Sequence, residues 1–299
     1  MELKGKTASF ETVTLGCSMS FINLILLLNS FVLGWNSVYP IPPSGLTLVG
    51  DSTQRVIPTL QTVLDSSQVS GIVLVYDQQS DVYYSNNFDK AKEGHLPAST
   101  YKIPNSIIAL ETGVVADDST LFPWDGEERA MERWEQDLIF CEAFRLSCVP
   151  CYQEVARAIG AQRMNDYLRK LDYGTMVVDS GNIDRFWLEG DSRISPYQQI
   201  AFLRRLYRSQ LPISARTEAI IKRMMVLEEA ETYRLSGKTG WSNGGGIDNG
   251  WFVGYVETSD NVYFFATNIE PKETLDMNRF GDLRLDITRQ ALTALNFLP

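Results

Sequence analysis

The chain has 299 residues, 44% hydrophobic and 21% charged, the balance of a globular protein with room for one large domain or two small ones. Its formal net charge of −10 and sequence pI near 4.8 give no electrostatic footprint for nucleic acid and repel it from anionic membrane surfaces. Small-molecule chemistry is the function class that remains.

Phe21–Trp35 is an apolar run of fifteen residues, too short for a comfortable membrane span and suited to a secretory leader. Lys4 and Lys6 supply positive charge well upstream of it, and Met19 is an alternative start. No small-x-small cleavage signal is evident, so an uncleaved anchor is the second reading and the one route to a membrane. Leu15-Gly16-Cys17 has the look of a lipidation site, but no apolar run precedes it. The sequence thus predicts a leader-like segment over 1–36, an exported, periplasmic protein, and a single catalytic domain over 37–299. Removing the leader takes Glu2, Lys4, Lys6 and Glu11 and leaves the net charge unchanged. Asn36–Gly45, with Pro40, Pro42 and Pro43, reads as an extended linker.

Gly71–Asp77 is a continuous, β-branched apolar run followed after a polar turn by Val82-Tyr83-Tyr84, which predicts a strand hairpin. From about 99 to 230 the pattern is helical. Ser195-Pro196-Tyr197-Gln198 opens a helix with Pro at its first position and a capping box. Ile200, Leu203 and Tyr207 share one face of it, leaving Arg204 and Arg205 on an expected solvated face. Ser214 opens another helix, through Met225. Tyr233–Trp241, Trp251–Thr258 and Val262–Ile269 read as strands, the last two paired antiparallel through the turn Thr258–Asn261. Arg284–Leu295 closes the chain as a helix. The expected class is α+β: a sheet lobe of about 52–98 plus 232–299, and an inserted helical lobe of about 99–231. The groove between them is the natural place for a site.

Four cysteines are too few for a disulfide scaffold, and Cys17 falls in the leader. Cys148-Val149-Pro150-Cys151 has redox or zinc spacing, but a single histidine, His95, leaves zinc little to draw on. The expected state is a pair of buried thiols at a helix start. The same scarcity excludes a Ser-His-Asp hydrolase, because His95 lies four residues before Ser99 with no glycine-flanked nucleophile turn. A serine enzyme on this chain needs a lysine base. Ser99-Thr100-Tyr101-Lys102 provides one. Pro97 ends the preceding extended segment and Ile103–Leu110 stops at Gly113, so Ser99 sits at a helix N-terminus with Lys102 one turn later on the same face. Pro104 falls near the first turn, where a missing N–H costs little. Ser147-Cys148-Val149 precedes the helix Cys151–Ile159, and Lys238-Thr239-Gly240 falls in the strand-rich last third. Each triplet alone is common; all three in this order are a joint signature.

With these residues in place the chain resembles the penicillin-recognising serine enzymes, and among them the class D (oxacillinase-type) β-lactamases. Pro97–Ser106, Val149–Glu154, Ile183–Gly190, Arg193–Ser195 and Trp251–Gly254 carry the likeness, which extends over about 52–299. The resemblance implies the β-lactamase/transpeptidase-like α+β fold and a small-molecule β-lactam substrate, without metal or organic cofactor. It implies Ser99 as the acylated nucleophile. It also implies Lys102 as an N6-carboxylysine base formed with CO2 or bicarbonate, with Trp187 donating to it. Ser147 would relay protons. Val149, Leu188 and Tyr101 would wall the pocket. Lys238, Thr239, Gly240 and Arg284 would meet the substrate carboxylate, and the N–H groups of Ser99 and Trp241 would form the oxyanion hole. Tyr173-Gly174-Thr175 departs from the family's Tyr-Gly-Asn and puts that loop's hydrogen bonding in question. Gly244–Gly246 is expected to be a flexible rim that sets substrate range. A homodimer is compatible with the resemblance. The alternatives are a penicillin-sensing domain, a cell-wall DD-peptidase and an inactive binding module.

Overall fold

The computed structural model of the chain describes residues 52–244 and 246–298. The leader, linker and lipidation-like readings all lie outside them. In chain order the elements are β1 (Thr53–Val56), α1 (Pro58–Ser66), β2 (Val69–Asp77), β3 (Val82–Ser85), α2 (Lys102–Glu111), β4 (Leu121–Phe122), β5 (Leu138–Ile139), α3 (Phe140–Arg145) and α4 (Val149–Ile159). There follow α5 (Ala161–Leu171), α6 (Pro196–Tyr207), α7 (Ala215–Met225), β6 (Val226–Glu229), β7 (Tyr233–Ser242), β8 (Asn249–Thr258), β9 (Val262–Pro271) and α8 (Met277–Ala294). The class is α+β. Seven strands form one sheet in the order β1-β3-β2-β9-β8-β7-β6, and β4 and β5 form a separate two-stranded piece.

Strands 2, 8 and 9 are buried on both faces, which is why they read as continuous apolar runs rather than alternating ones. Period-two alternation still sorts their side chains. Val73, Val75, Phe252 and Phe265 point to α1 and α8, where they meet Leu60, Leu64, Phe280 and Ile287. Leu74, Tyr76, Tyr255 and Phe264 point to the other face and join the core of the helical lobe. Helix α2 threads that core, with every residue from Lys102 to Leu110 buried. Its Ile103, Ile107, Ile108 and Leu110 each contribute roughly 1.5–3 kcal/mol by burial.

The hairpin stands as expected, with Leu74 opposite Ser85 and Asp77 opposite Val82. So does the capping box: Ser195 Oγ accepts from Gln198 N–H at 3.2 Å and Gln198 Oε1 accepts from Ser195 N–H at 2.9 Å. The closing helix begins earlier than expected, at Met277 after the Asp276 N-cap, because Phe280 packs on Trp241 and Gly281 does not break it. Arg204 and Arg205 are not a solvated face. Arg204 lies 3.8 Å over the Tyr76 ring and donates to its hydroxyl at 2.8 Å, while Arg205 donates to the carbonyls of Leu171 and Asp172 at the end of α5. Cationic donors suit a helix C-terminus, where carbonyls lack partners.

Ser195→Ala should cost about 1 kcal/mol through loss of the α6 cap, read as a lower urea midpoint at unchanged slope.

Candidate active site

Ser99 lies on a 3₁₀ turn, Ala98–Tyr101, that runs straight into α2. This is the helix-start placement the sequence predicts, one tighter turn longer. Ala98 has φ +50°, an unfavourable value for an L-residue that neighbours must hold. They do so from three sides. Ala98 N–H donates to Trp187 O at 2.8 Å, Asn249 Nδ2 and Trp251 Nε1 both donate to Leu96 O at 2.8 Å, and Thr100 Oγ donates to Pro97 O at 2.6 Å. Gln199 Nε2 in turn donates to Thr100 Oγ at 2.9 Å, and Asn268 Nδ2 to Asn249 Oδ1 at 2.6 Å. Asn249, Asn268 and Gln199 are supporting residues that motif reading passed over, while Trp251, part of the family-like Trp251–Gly254 segment, supports the same turn through its indole. The signal of the three is an amide inside an otherwise apolar element.

Lys102 Nζ donates to Ser99 Oγ at 3.1 Å and lies 4.9 Å over the Tyr152 ring. The lysine is 1% exposed, and burial alone pulls its pKa down to about 7. A lysine in that state carries a substantial fraction of free amine at neutral pH. Trp187 is fully buried, its ring stacked on Tyr101 at 5.6 Å, and its indole N–H has no partner. A buried donor without an acceptor is costly, so its environment fits an added acceptor. Tyr101 is itself wholly covered, donating to Met164 Sδ at 2.9 Å. It therefore backs the Trp187 ring instead of walling an open pocket. Val149 and Leu188 are half-buried against the same core.

Strand β7 brings the third motif. Lys238 is 3% exposed and its Nζ donates to Ser147 Oγ at 2.5 Å and to Thr239 O at 3.0 Å. Burial first, then the nearby cations Lys102, Arg284 and Arg133, lower its pKa strongly. Gly240 passes so close to the nucleophile turn that a Cβ there would lie 3.2 Å from Ser99 N, Pro97 O and Ala98 Cβ. A side chain there would press on the turn, and its neighbours would have to give by a few tenths of an ångström. Thr239 is half-buried on the strand. Arg284 Nη1 donates to Gly240 O at 2.7 Å, and its guanidinium lies 5.7 Å from the Trp241 ring; burial lowers its pKa to about 10. Trp241 exposes its indole, which donates to Asp248 at 2.6 Å, while its backbone continues β7 beside Ser99. Ser99, Lys102, Ser147, Lys238, Gly240 and Arg284 thus converge from four separate stretches of chain.

Thr175 pairs with Arg193 through two backbone hydrogen bonds of 2.8 Å, and its side chain faces solvent. The missing amide is not needed for that pairing. Gly245 lies outside the described residues, but Gly244 touches the Leu188 segment, where a Cβ would lie 2.3 Å from Leu188 O. His95 pairs with Ile194 in a loop bridge, away from any catalytic arrangement. Cys148 and Cys151 are not thiols but a disulfide across the first turn of α4. Their Cys-x-x-Cys spacing allows this closure, yet nothing in the spacing states the oxidation level. Among the described residues no cluster of His, Cys, Asp and Glu could hold a metal ion.

The family model for the penicillin-binding protein transpeptidase domain matches residues 61–291. Beta-lactamase OXA-48 of Klebsiella pneumoniae is 42% identical over 229 residues, 77% of this chain and 84% of that protein. Beta-lactamase OXA-10 of Pseudomonas aeruginosa is 40% identical over 76% of this chain and 85% of its own length. Among solved structures, a class D beta-lactamase from Sebaldella termitidis aligns with TM-score 0.79 and 34% identity, covering 83% of this chain and 100% of that one. The class D YbXI beta-lactamase from Nostoc aligns with TM-score 0.76 and 42% identity, covering 80% and 99%.

Folded Lys102 holds its proton less tightly than an unfolded lysine would, so the folded state loses stability as pH falls from about 10.5 through about 7. Lys102→Met removes that cost. It should abolish catalysis yet stabilise the fold at pH 7 by roughly 1–4 kcal/mol, with the gain shrinking at pH 10, as read from melting curves at both pH values.

Proposed function

The chain belongs to the class D β-lactamases and hydrolyses β-lactams, and on that premise we propose that it does so through a Ser99 acyl-enzyme with Lys102 as the base. The observation that carries this reading is the buried Lys102 amine, 3.1 Å from Ser99 Oγ with its pKa pulled down to about 7. A hydroxyl is a weak nucleophile until a positioned base takes its proton. Ser99 Oγ loses its proton toward Lys102 and bonds to the lactam carbonyl carbon. The backbone N–H groups of Ser99 and Trp241 meet the developing oxyanion, each such donor being worth about 2.7–4 kcal/mol in other enzymes. The ring C–N bond then breaks, and the leaving nitrogen takes a proton through Ser147, which Lys238 already contacts. Water, deprotonated on the Lys102 side, completes the cycle by splitting the ester. Lys238 and Arg284, with the Thr239 hydroxyl as a further donor, meet the substrate carboxylate, and a bound carboxylate favours a charged Lys238.

A carbamate on Lys102, formed when the free amine adds CO2, supplies an anionic oxygen base. What supports it is the buried Lys102 amine itself and the unpartnered Trp187 N–H. Export to an oxidising compartment is supported by the Cys148–Cys151 disulfide. One catalytic domain over 37–299 is supported by a single sheet that carries the core on both faces.

Steady-state hydrolysis of a chromogenic cephalosporin, with and without bicarbonate and with intact-protein mass spectrometry, tests the mechanism. Expected are turnover stimulated by bicarbonate and a transient adduct that Ser99→Ala abolishes. A lasting adduct without turnover would favour a penicillin sensor, and labelling of Ser99→Ala would remove Ser99 from the mechanism. Trp187→Ala should leave turnover strongly dependent on added bicarbonate; indifference to it sinks the carbamate. As pH falls below about 7 Lys102 gains its proton, so kcat/KM should drop on that side of the profile.

A further inference from the structure

The disulfide is a reactive group near the site that the acyl-transfer scheme leaves unused. It closes Cys148 to Cys151 around Val149 and Pro150. Cys148 is the N-cap of α4, buried, with its sulfur accepting the Cys151 N–H at 3.3 Å. The two residues that flank the ring are the ones that touch the two buried lysines. Ser147, just before it, takes the hydrogen bond from Lys238. Tyr152, just after it, places its ring under Lys102 and ties its hydroxyl to Ser106 in α2 at 2.7 Å.

Ser147 has φ +55°, which a non-glycine residue adopts only when its surroundings enforce it. Backbone bonds from Ser147 N–H to Phe144 O (3.2 Å) and Cys148 N–H to Ala143 O (2.9 Å) hold the upstream side. Downstream the restraint is covalent. A ring of four residues removes most torsional freedom from Cys148 to Cys151, and with it the alternatives into which Ser147 could relax.

We propose that the Cys148–Cys151 disulfide is a positioning clamp for acyl transfer, fixing Ser147 against Lys238. This rests on the Ser99 acyl-enzyme reading. The clamp forms by thiol–disulfide exchange: the two thiols give two protons and two electrons to a disulfide acceptor, which leaves as a dithiol. Dithiothreitol runs the step in reverse and becomes its own cyclic disulfide.

The test compares the oxidised full chain, the same protein reduced with dithiothreitol, and Cys148→Ser/Cys151→Ser, each with Ser147 intact and as Ser147→Ala. Thiol content is read by alkylation and mass, folding by thermal melt, and acylation rate by quenched-flow mass spectrometry with a penicillin. With Ser147 present, opening the ring should slow acylation roughly 10–100-fold, the scale of an ångström-sized misplacement, while the protein stays folded at assay temperature. In Ser147→Ala the same opening should cost less than about 3-fold, because the group being positioned is gone. Equal losses in both backgrounds, no loss in either, or unfolding on reduction would each overturn the clamp. Failure of the oxidised wild type to acylate would sink the acyl-enzyme reading along with it.

Discussion

An ammonium group out of reach of water gives up its proton readily, and the burial of two lysines, Lys102 and Lys238, is the constraint around which this molecule is arranged. Both are nearly inaccessible to water, and each lacks a carboxylate partner among the causes that set its pKa. Burial therefore pushes protons off both, and nearby cations add to the effect on Lys238. The outcome is the one a lysine base requires: a free amine at ordinary pH, beside a hydroxyl that has a proton to give.

Holding that arrangement costs backbone strain, and the strain sits on either side of the nucleophile. Ala98 and Ser147 both occupy left-handed conformations, φ +50° and φ +55°. Each is over-determined by rigid neighbours: Ala98 by Trp187 O and the grips on Leu96, Ser147 by α3 and the start of α4. The supporting groups are themselves buried and linked, from Asn268 through Asn249 to Leu96 and from Gln199 to Thr100. Such second layers fix reacting atoms more tightly than a loop could by itself.

Local chemistry was legible in the sequence wherever a short spacing specified it. Ser99 and Lys102 face each other because three residues make one helical turn, and the α6 cap follows from Ser195 and Gln198. The strands β2, β7, β8 and β9 announced themselves through β-branched and aromatic runs. The missed elements lacked such signals. Strand β6 follows α7 with no glycine or proline between Met225 and Val226, and β1 is an exposed edge of four residues. Arg204 lies off the apolar stripe of its helix, and only the fold brings Tyr76 beneath it. Tyr101 belongs to the same motif as the nucleophile, yet its depth behind Trp187 depends on packing that no spacing encodes.

The central pairing of the sheet has a bearing on how the protein comes into being. Strand β2 pairs along its whole length with β9, Val69 against Pro271 and Asp77 against Tyr263. No early portion of the chain can complete that ladder during synthesis, and α8, which carries Arg284, is made later still. Ser99 and Lys102 are translated long before the strand that seats them, so a ribosome-bound chain carries the motif without its fold. Assembly dominated by such distant partners is slow.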